Sequence, residues 1–236
     1  HGLNDIILQS GLSVDYHQVS EEAEKLRSAL NHADSFEVDF VVHDEHLSLS
    51  IHCAGQEAQK SHGLCLGDEP DVANLPAGEV YFVPTGADGQ FPMKYKDGTI
   101  GCMDVQSGKI VKATLLNGDQ AVIDAHNEKL FSDPVTGVLG ELGFGTQTLP
   151  VSGKDIQDEK ILGTMHVATG RSDHLGGQLT PDKFAKALNA THDDILFSPS
   201  KTPEINVSQV RMIREGDTVP VLESFKVTHY LEEAMA

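Results

Sequence analysis

Phe36, Val38, Phe40 and Val42 put an apolar side chain at every second position with polar or small neighbours, and Leu47, Leu49 and Ile51 repeat the pattern after an acidic turn. A strand with one buried face requires a period of two, so this segment predicts two strands. Ahead of them, Ala23, Leu26, Leu30 and Ala33 recur at helical spacing, and Ser20-Glu21-Glu22 offers the hydroxyl and acids that suit a helix amino end. From Glu79 to Gln120 the turn pairs Asp97-Gly98, Ser107-Gly108 and Asn117-Gly118 are separated by Thr-, Val- and Ile-bearing runs, the layout of an antiparallel meander. Ala121 to Leu130 reads as a short strand running into a short helix, followed by a glycine-rich stretch from Gly137 to Gly145. Pro181 to Leu188 has helical composition, with Thr180 as cap, and Gln209 to Val227 reads as strands around the Glu215-Gly216-Asp217 turn. No repeat, low-complexity tract or linker divides the chain. The expectation is one metal-binding catalytic domain over 1–236, of α+β class: a mixed, largely antiparallel β-sheet domain with a few flanking helices.

Composition narrows the partners. A chain of 236 residues that is 39% hydrophobic and 22% charged can bury a core of ordinary size. Seventeen basic against thirty-six acidic side chains give a net charge of −19, a field that repels phosphate backbones and anionic lipid headgroups. Neither nucleic acid nor membrane is expected as a partner. The same carboxylates suit divalent cations, although acidity alone also serves solubility. Cysteines 53, 65 and 102 fit neither a zinc knuckle nor a Cys-x-x-Cys pair. With no long apolar run and no signal-peptide pattern, a cytoplasmic location is expected. The opening His1-Gly2, in place of Met, points to processing, a cloning remnant or a piece of something longer.

Acids and imidazoles stand in four short stretches that otherwise look like half-buried strands or glycine-framed turns. Glu79 sits at the mouth of an apolar strand, where an uncompensated carboxylate is costly. Glu141 is boxed by Gly140, Gly143 and Gly145, which allow close backbone approach. His166 lies in the small apolar run Thr164-Met165-His166-Val167-Ala168. His192 and Asp194 are two apart and run into Ile195-Leu196-Phe197, so on a strand both project from one face while Asp193 points away. Each has a plainer reading taken singly: a solvated edge acid, a tight loop, a hydrogen-bonded core histidine. As a group they make a metal-ligand set.

The order of these stretches resembles that of the metal-dependent leucyl aminopeptidases typified by aminopeptidase T. The matching words are Asn74-Leu75-Pro76-Ala77-Gly78-Glu79-Val80, then Gly140-Glu141-Leu142-Gly143-Phe144-Gly145-Thr146. They continue with Asp158-Glu159-Lys160-Ile161-Leu162-Gly163-Thr164-Met165-His166-Val167-Ala168-Thr169-Gly170 and His192-Asp193-Asp194, the whole resemblance covering roughly 36 to 225. It implies a metallo-aminopeptidase that hydrolyses the amino-terminal bond of a peptide or small amino-acyl substrate. Glu79, Glu141, His166, His192 and Asp194 would hold two divalent ions (Zn, Co or Mn). One of Glu79 and Glu141 would bridge the ions and the other act on the water; a homodimer is implied as well. There are two departures. The family's amino-terminal α/β domain has no room before Ser20, and the Tyr seven residues after the motif histidine is replaced by Asp173, followed by His174, the possible substitutes. Gly176-Gly177 nearby matches relatives that lack the Tyr.

Two other readings stay open. A mononuclear iron dioxygenase that opens dihydroxypyridine rings needs a two-His, one-carboxylate face, which His166, His192 and Asp194 supply; the retained Glu79 and Glu141 count toward two metals instead. The third is a non-catalytic metal-binding module. No Gly-x-Ser-x-Gly elbow or phosphate loop is present.

Overall fold

The computed structural model describes residues 2–67 and 72–236. Asn4 opens α1 (Asp5–Gln9) by accepting the Ile7 amide, and Asp15 opens α2 (Tyr16–Leu30) by accepting that of His17. The helix therefore begins before Ser20, whose hydroxyl sits inside it and meets Lys60 Nζ at 3.4 Å. Asp15 wins because a cap must precede the first turn, where amides lack partners. Val19, Ala23, Leu26 and Leu30 form its buried stripe.

Both predicted strands form: β1 (Ser35–Val42) and β2 (Glu45–His52), with every second residue of β1 buried. They are followed by β3 (Gln59–Ser61), β4 (Glu79–Phe82), β5 (Gly86–Lys94), β6 (Ile100–Gln106) and β7 (Lys109–Asn117). Next come α3 (Gln120–Ser132), β8 (Leu139–Gly145), α4 (Asp155–Asp158), β9 (Met165–Gly170) and β10 (His192–Phe197). The chain closes with β11 (Ile205–Arg214), β12 (Asp217–Glu223), β13 (Lys226–Val227) and α5 (His229–Met235). One sheet runs β13-β12-β11-β1-β2-β5-β6-β7 and the other β10-β9-β8-β4-β3. Every pairing between these strands is antiparallel. The α+β, mostly antiparallel class read from the pattern is the observed one.

Four local expectations change. The meander is β5-β6-β7 alone, because β4, which carries Glu79, pairs with β8 in the other sheet. Ala121 to Leu130 is helix throughout: Asp119 accepts the Ala121 amide and caps α3 directly after the Asn117-Gly118 turn. The glycine-rich stretch contains a fully buried strand, β8, rather than a loop. Pro181 to Leu188 forms only two short 3-10 turns, Pro181–Lys183 and Ala187–Asn189. There the buried Asp133 carboxylate accepts the amides of Ala185 and Lys186, so those amides are taken from the helix the composition favoured.

The two sheets face each other across one apolar cluster. Phe36 of β1 meets Phe82 of β4 at 5.2 Å and Phe144 of β8 at 5.3 Å between ring centroids; Phe40 meets Phe197 of β10 at 5.0 Å. Among the described residues, no helix is long and apolar enough to cross a membrane. Because Phe36 is fully buried where both sheets touch it, Phe36→Ala is expected to cost about 3–5 kcal/mol of unfolding free energy. Urea denaturation checks this: the midpoint should fall with little change in slope.

Candidate metal centre

Alternation along β8, β9 and β10 separates two kinds of side chain. Leu142, Phe144, Met165, Val167, Ile195 and Phe197 enter the core between the sheets. Glu141, His166 and Asp194 are one residue out of step with them, so they emerge on the opposite face. Register then brings them together: Asp194 lies opposite Ala168, Ala168 opposite Glu141, His166 opposite Gly143, and Glu79 opposite Gly145. His192 joins from the start of β10, on the same face as Asp194, as the two-residue spacing predicted.

Gly143 is what makes room. A Cβ built there would lie 2.2 Å from His166 Cε1 and 2.3 Å from Nε2, so the imidazole occupies the space a side chain would fill. A Cβ on Gly145 would strike the Ile161 carbonyl at 2.2 Å, so the 160–161 backbone is pressed onto β8 as well.

Two donor groups result, Glu79-Glu141-His166 and Glu141-His192-Asp194, each with its ligand atoms within 4.8 Å of one another. Glu141 belongs to both. Its Oε2 is 2.8 Å from His192 Nε2 and its Oε1 3.5 Å from His166 Nε2. Asp194 Oδ1 stands 3.2 Å from His192 Nε2, and Glu79 Oε2 3.8 Å from His166 Nε2. All five residues singled out as ligands are thus in one place. Asp173 is not in either group: Arg171 holds its two oxygens at 3.0 and 2.9 Å. His174 stands at the rim, edge-on to the His192 ring with centroids 4.7 Å apart.

The donor chemistry fits a metal ion. His192 Nδ1 lies 2.6 Å from the Arg171 carbonyl, which can only accept, so Nδ1 carries the proton. In the neutral ring Nε2 is then a lone pair aimed at two carboxylates. That is repulsive unless a proton or a cation lies between them. His166 presents Nε2 to two carboxylates in the same way, while its Nδ1 is buried without a hydrogen-bond partner.

In the ion-free protein, protons take the cation's part. Burial alone would lower the pKa of His192, but its bonds to Asp194 and Glu141 outweigh that and raise it to about 10; His166, likewise opposed by burial, is raised by Glu141 to about 9. Burial pushes Glu141 up, yet the two imidazoles hold its carboxyl well below the usual carboxylate range. Burial, with Glu141 and Glu79 nearby, pushes the Tyr81 phenol up.

Lys160 and Glu159 carried no assigned role in the sequence, yet both are buried at this centre. Lys160 Nζ is 2.7 Å from Glu79 Oε1 and 2.7 Å from Glu159 Oε1. Three adjacent charges, Asp158-Glu159-Lys160, ordinarily mark a solvated face. The usable signal was their place just ahead of a buried strand bearing His166.

Comparison with known proteins gives a fold but no family. No protein-family description matches the chain, and no curated protein does. Among solved structures it is similar to 2,5-dihydroxypyridine dioxygenase from Pseudomonas putida KT2440: TM-score 0.63 at 16% identity, over 89% of this chain. The chain spans 59% of that protein's length. This overturns the aminopeptidase T resemblance, and with it the metallo-aminopeptidase, hydrolase and proteolysis readings. The words that carried the resemblance have a physical basis of their own. Gly143 and Gly145 clear space for His166 and for the 160–161 backbone, and the acids and imidazoles mark a charged sheet face, which sheets of differing chemistry can share.

Gly143→Ala is expected to displace the His166 ring, lowering affinity for Mn(II) at least about tenfold and stability by about 1–3 kcal/mol; calorimetric titration and denaturation measure the two. The raised imidazole values also set a pH dependence. In the ion-free protein the imidazolium pairs stabilise fully below the ordinary value of 6.5, and that stability is lost as pH rises through about 9 and about 10. Metal must displace those protons, so affinity should climb with pH over that interval, and proton release on metal addition to weakly buffered protein should accompany it.

Proposed function

We propose that this chain carries a mononuclear iron centre of the ring-opening dioxygenase kind, acting on a small hydroxylated nitrogen heterocycle or aromatic ring. One observation carries the metal: His192, its Nδ1 pinned by the Arg171 carbonyl, turns Nε2 onto Glu141 and Asp194. The reaction class is supported by the likeness of the fold to the dihydroxypyridine dioxygenase; the face also offers two imidazoles, His166 and His192, beside carboxylates, the ligand types of non-haem iron oxygenases. In this reading Glu141, His192 and Asp194 hold the ion, and His166 approaches from the neighbouring donor group through Glu141, 3.5 Å from its Nε2.

When bound, Fe(II) supplies open positions for a substrate hydroxyl and the capacity to activate dioxygen. The chain's own groups do the rest. Arg171 fixes the tautomer of His192 through its carbonyl oxygen. Tyr81, its phenol held protonated, is available as a hydrogen-bond donor on the same sheet face. His174 at the rim has its pKa lowered by burial and by neighbouring His192, so it is neutral near pH 7 and able to accept a substrate hydroxyl proton.

The test is anaerobic loading with Fe(II), followed by oxygen-electrode measurements with 2,5-dihydroxypyridine and a panel of hydroxylated pyridines and benzenes. Oxygen uptake matched to loss of the ring's ultraviolet absorbance is expected, and Asp194→Ala should abolish both iron retention and uptake. Full iron occupancy with no uptake on any ring would sink the oxygenase reading and leave a metal-binding module.

A further inference from the structure

We propose that the Lys160 ammonium is a built-in second cation, which occupies the Glu79 side of the centre and restricts this chain to a single metal ion. The inference rests on the metal-centre reading above. It answers a question that reading raises, because two donor groups sharing Glu141 have the outline of a two-ion site.

Three observations point the same way. First, the Lys160 ammonium lies 2.7 Å from Glu79 Oε1, a distance within the range of a strong charge-assisted hydrogen bond. An ion taken up by Glu79, Glu141 and His166 would share a carboxylate with a fixed positive charge, and in a buried setting that repulsion is strong. Second, the ammonium has nowhere to withdraw. Lys160 is 4% exposed, and its backbone is anchored, the carbonyl accepting from the Gln147 amide at 2.8 Å and the amide donating to the Gln157 carbonyl at 2.9 Å. Third, Glu159 is also buried, with its Oε1 2.7 Å from the same ammonium, so removing the lysine charge would strand two carboxylates rather than one. On the Glu141-His192-Asp194 side, among the described residues, no lysine or arginine pairs with the two carboxylates; they face the His192 imidazole, whose proton a metal ion can replace.

A tethered ammonium differs from a metal ion in that it cannot dissociate, be exchanged or polarise a water to hydroxide. A centre with one exchangeable ion beside one permanent cation keeps Glu79 neutralised without providing the paired ions that clamp a hydrolytic water. Lys160 is accordingly a positioning residue, not a catalytic one.

Equilibrium dialysis against Mn(II), with the bound metal counted by elemental analysis and by electron paramagnetic resonance, tests this without relying on turnover. Wild-type protein should hold one ion per chain. Lys160→Met should hold two. Because that variant leaves two buried acids unpaired and can fail to fold, the double variant Glu159→Gln with Lys160→Met provides the same vacancy with one acid neutralised, and should also hold two. Adding Glu79→Gln to the double variant should return the count to one. Two ions in the wild type, or a count that stays at one in a folded double variant, would overturn the role of Lys160 while leaving the metal centre standing. No ion in the wild type at any neutral or alkaline pH would remove the metal centre itself, and this inference with it.

Discussion

Alternation across the middle of three neighbouring antiparallel strands, from Glu141, His166 and Asp194 to the apolar residues beside them, is the constraint from which the rest of this molecule follows. Because β8, β9 and β10 each send their apolar residues to the core between the sheets, the residues one step out of phase have a single direction left. Glu141, His166 and Asp194 occupy those out-of-phase positions. A slip of one residue in any of the three strands would put a charged group into the phenylalanine cluster and a Leu or Val into the polar centre, so core packing and site assembly enforce the same register.

Placing carboxylates on a buried sheet face is unfavourable unless each has a partner. The molecule meets this with two different cations. Lys160 is ion-paired with both Glu79 and Glu159, whereas Glu141 and Asp194 face imidazoles that the carboxylate charge holds protonated. That division puts a lysine-paired half beside an imidazole-paired half within a few ångströms. It also gives the glycines a purpose: space for His166 at Gly143 and for the 160–161 backbone at Gly145 is created by removing side chains from β8.

The aminopeptidase reading shows how local words mislead. Four ordered motifs picked out five residues that do lie together on one sheet face, but such a face can serve unrelated chemistries, and the likeness in fold is to a dioxygenase. What separates the readings is how many cations the face accepts. That depends on where the Lys160 side chain ends: the motif contains the residue but not its contact with Glu79.

By itself the sequence determined the class of fold, the alternating strands and the identity of the acids and imidazoles that gather on one sheet face. These are properties of nearest neighbours along the chain: the period of two at Phe36–Val42, and the His-x-Asp pair that must share a strand face. Only the tertiary structure decided that Glu79 leaves the meander to join β8, that Asp133 unwinds the expected helix after Pro181, and that Lys160 reaches Glu79. Each of these is a contact between segments distant in sequence, chosen by which buried charge or amide found its partner, and spacing along one strand carries no information about that choice.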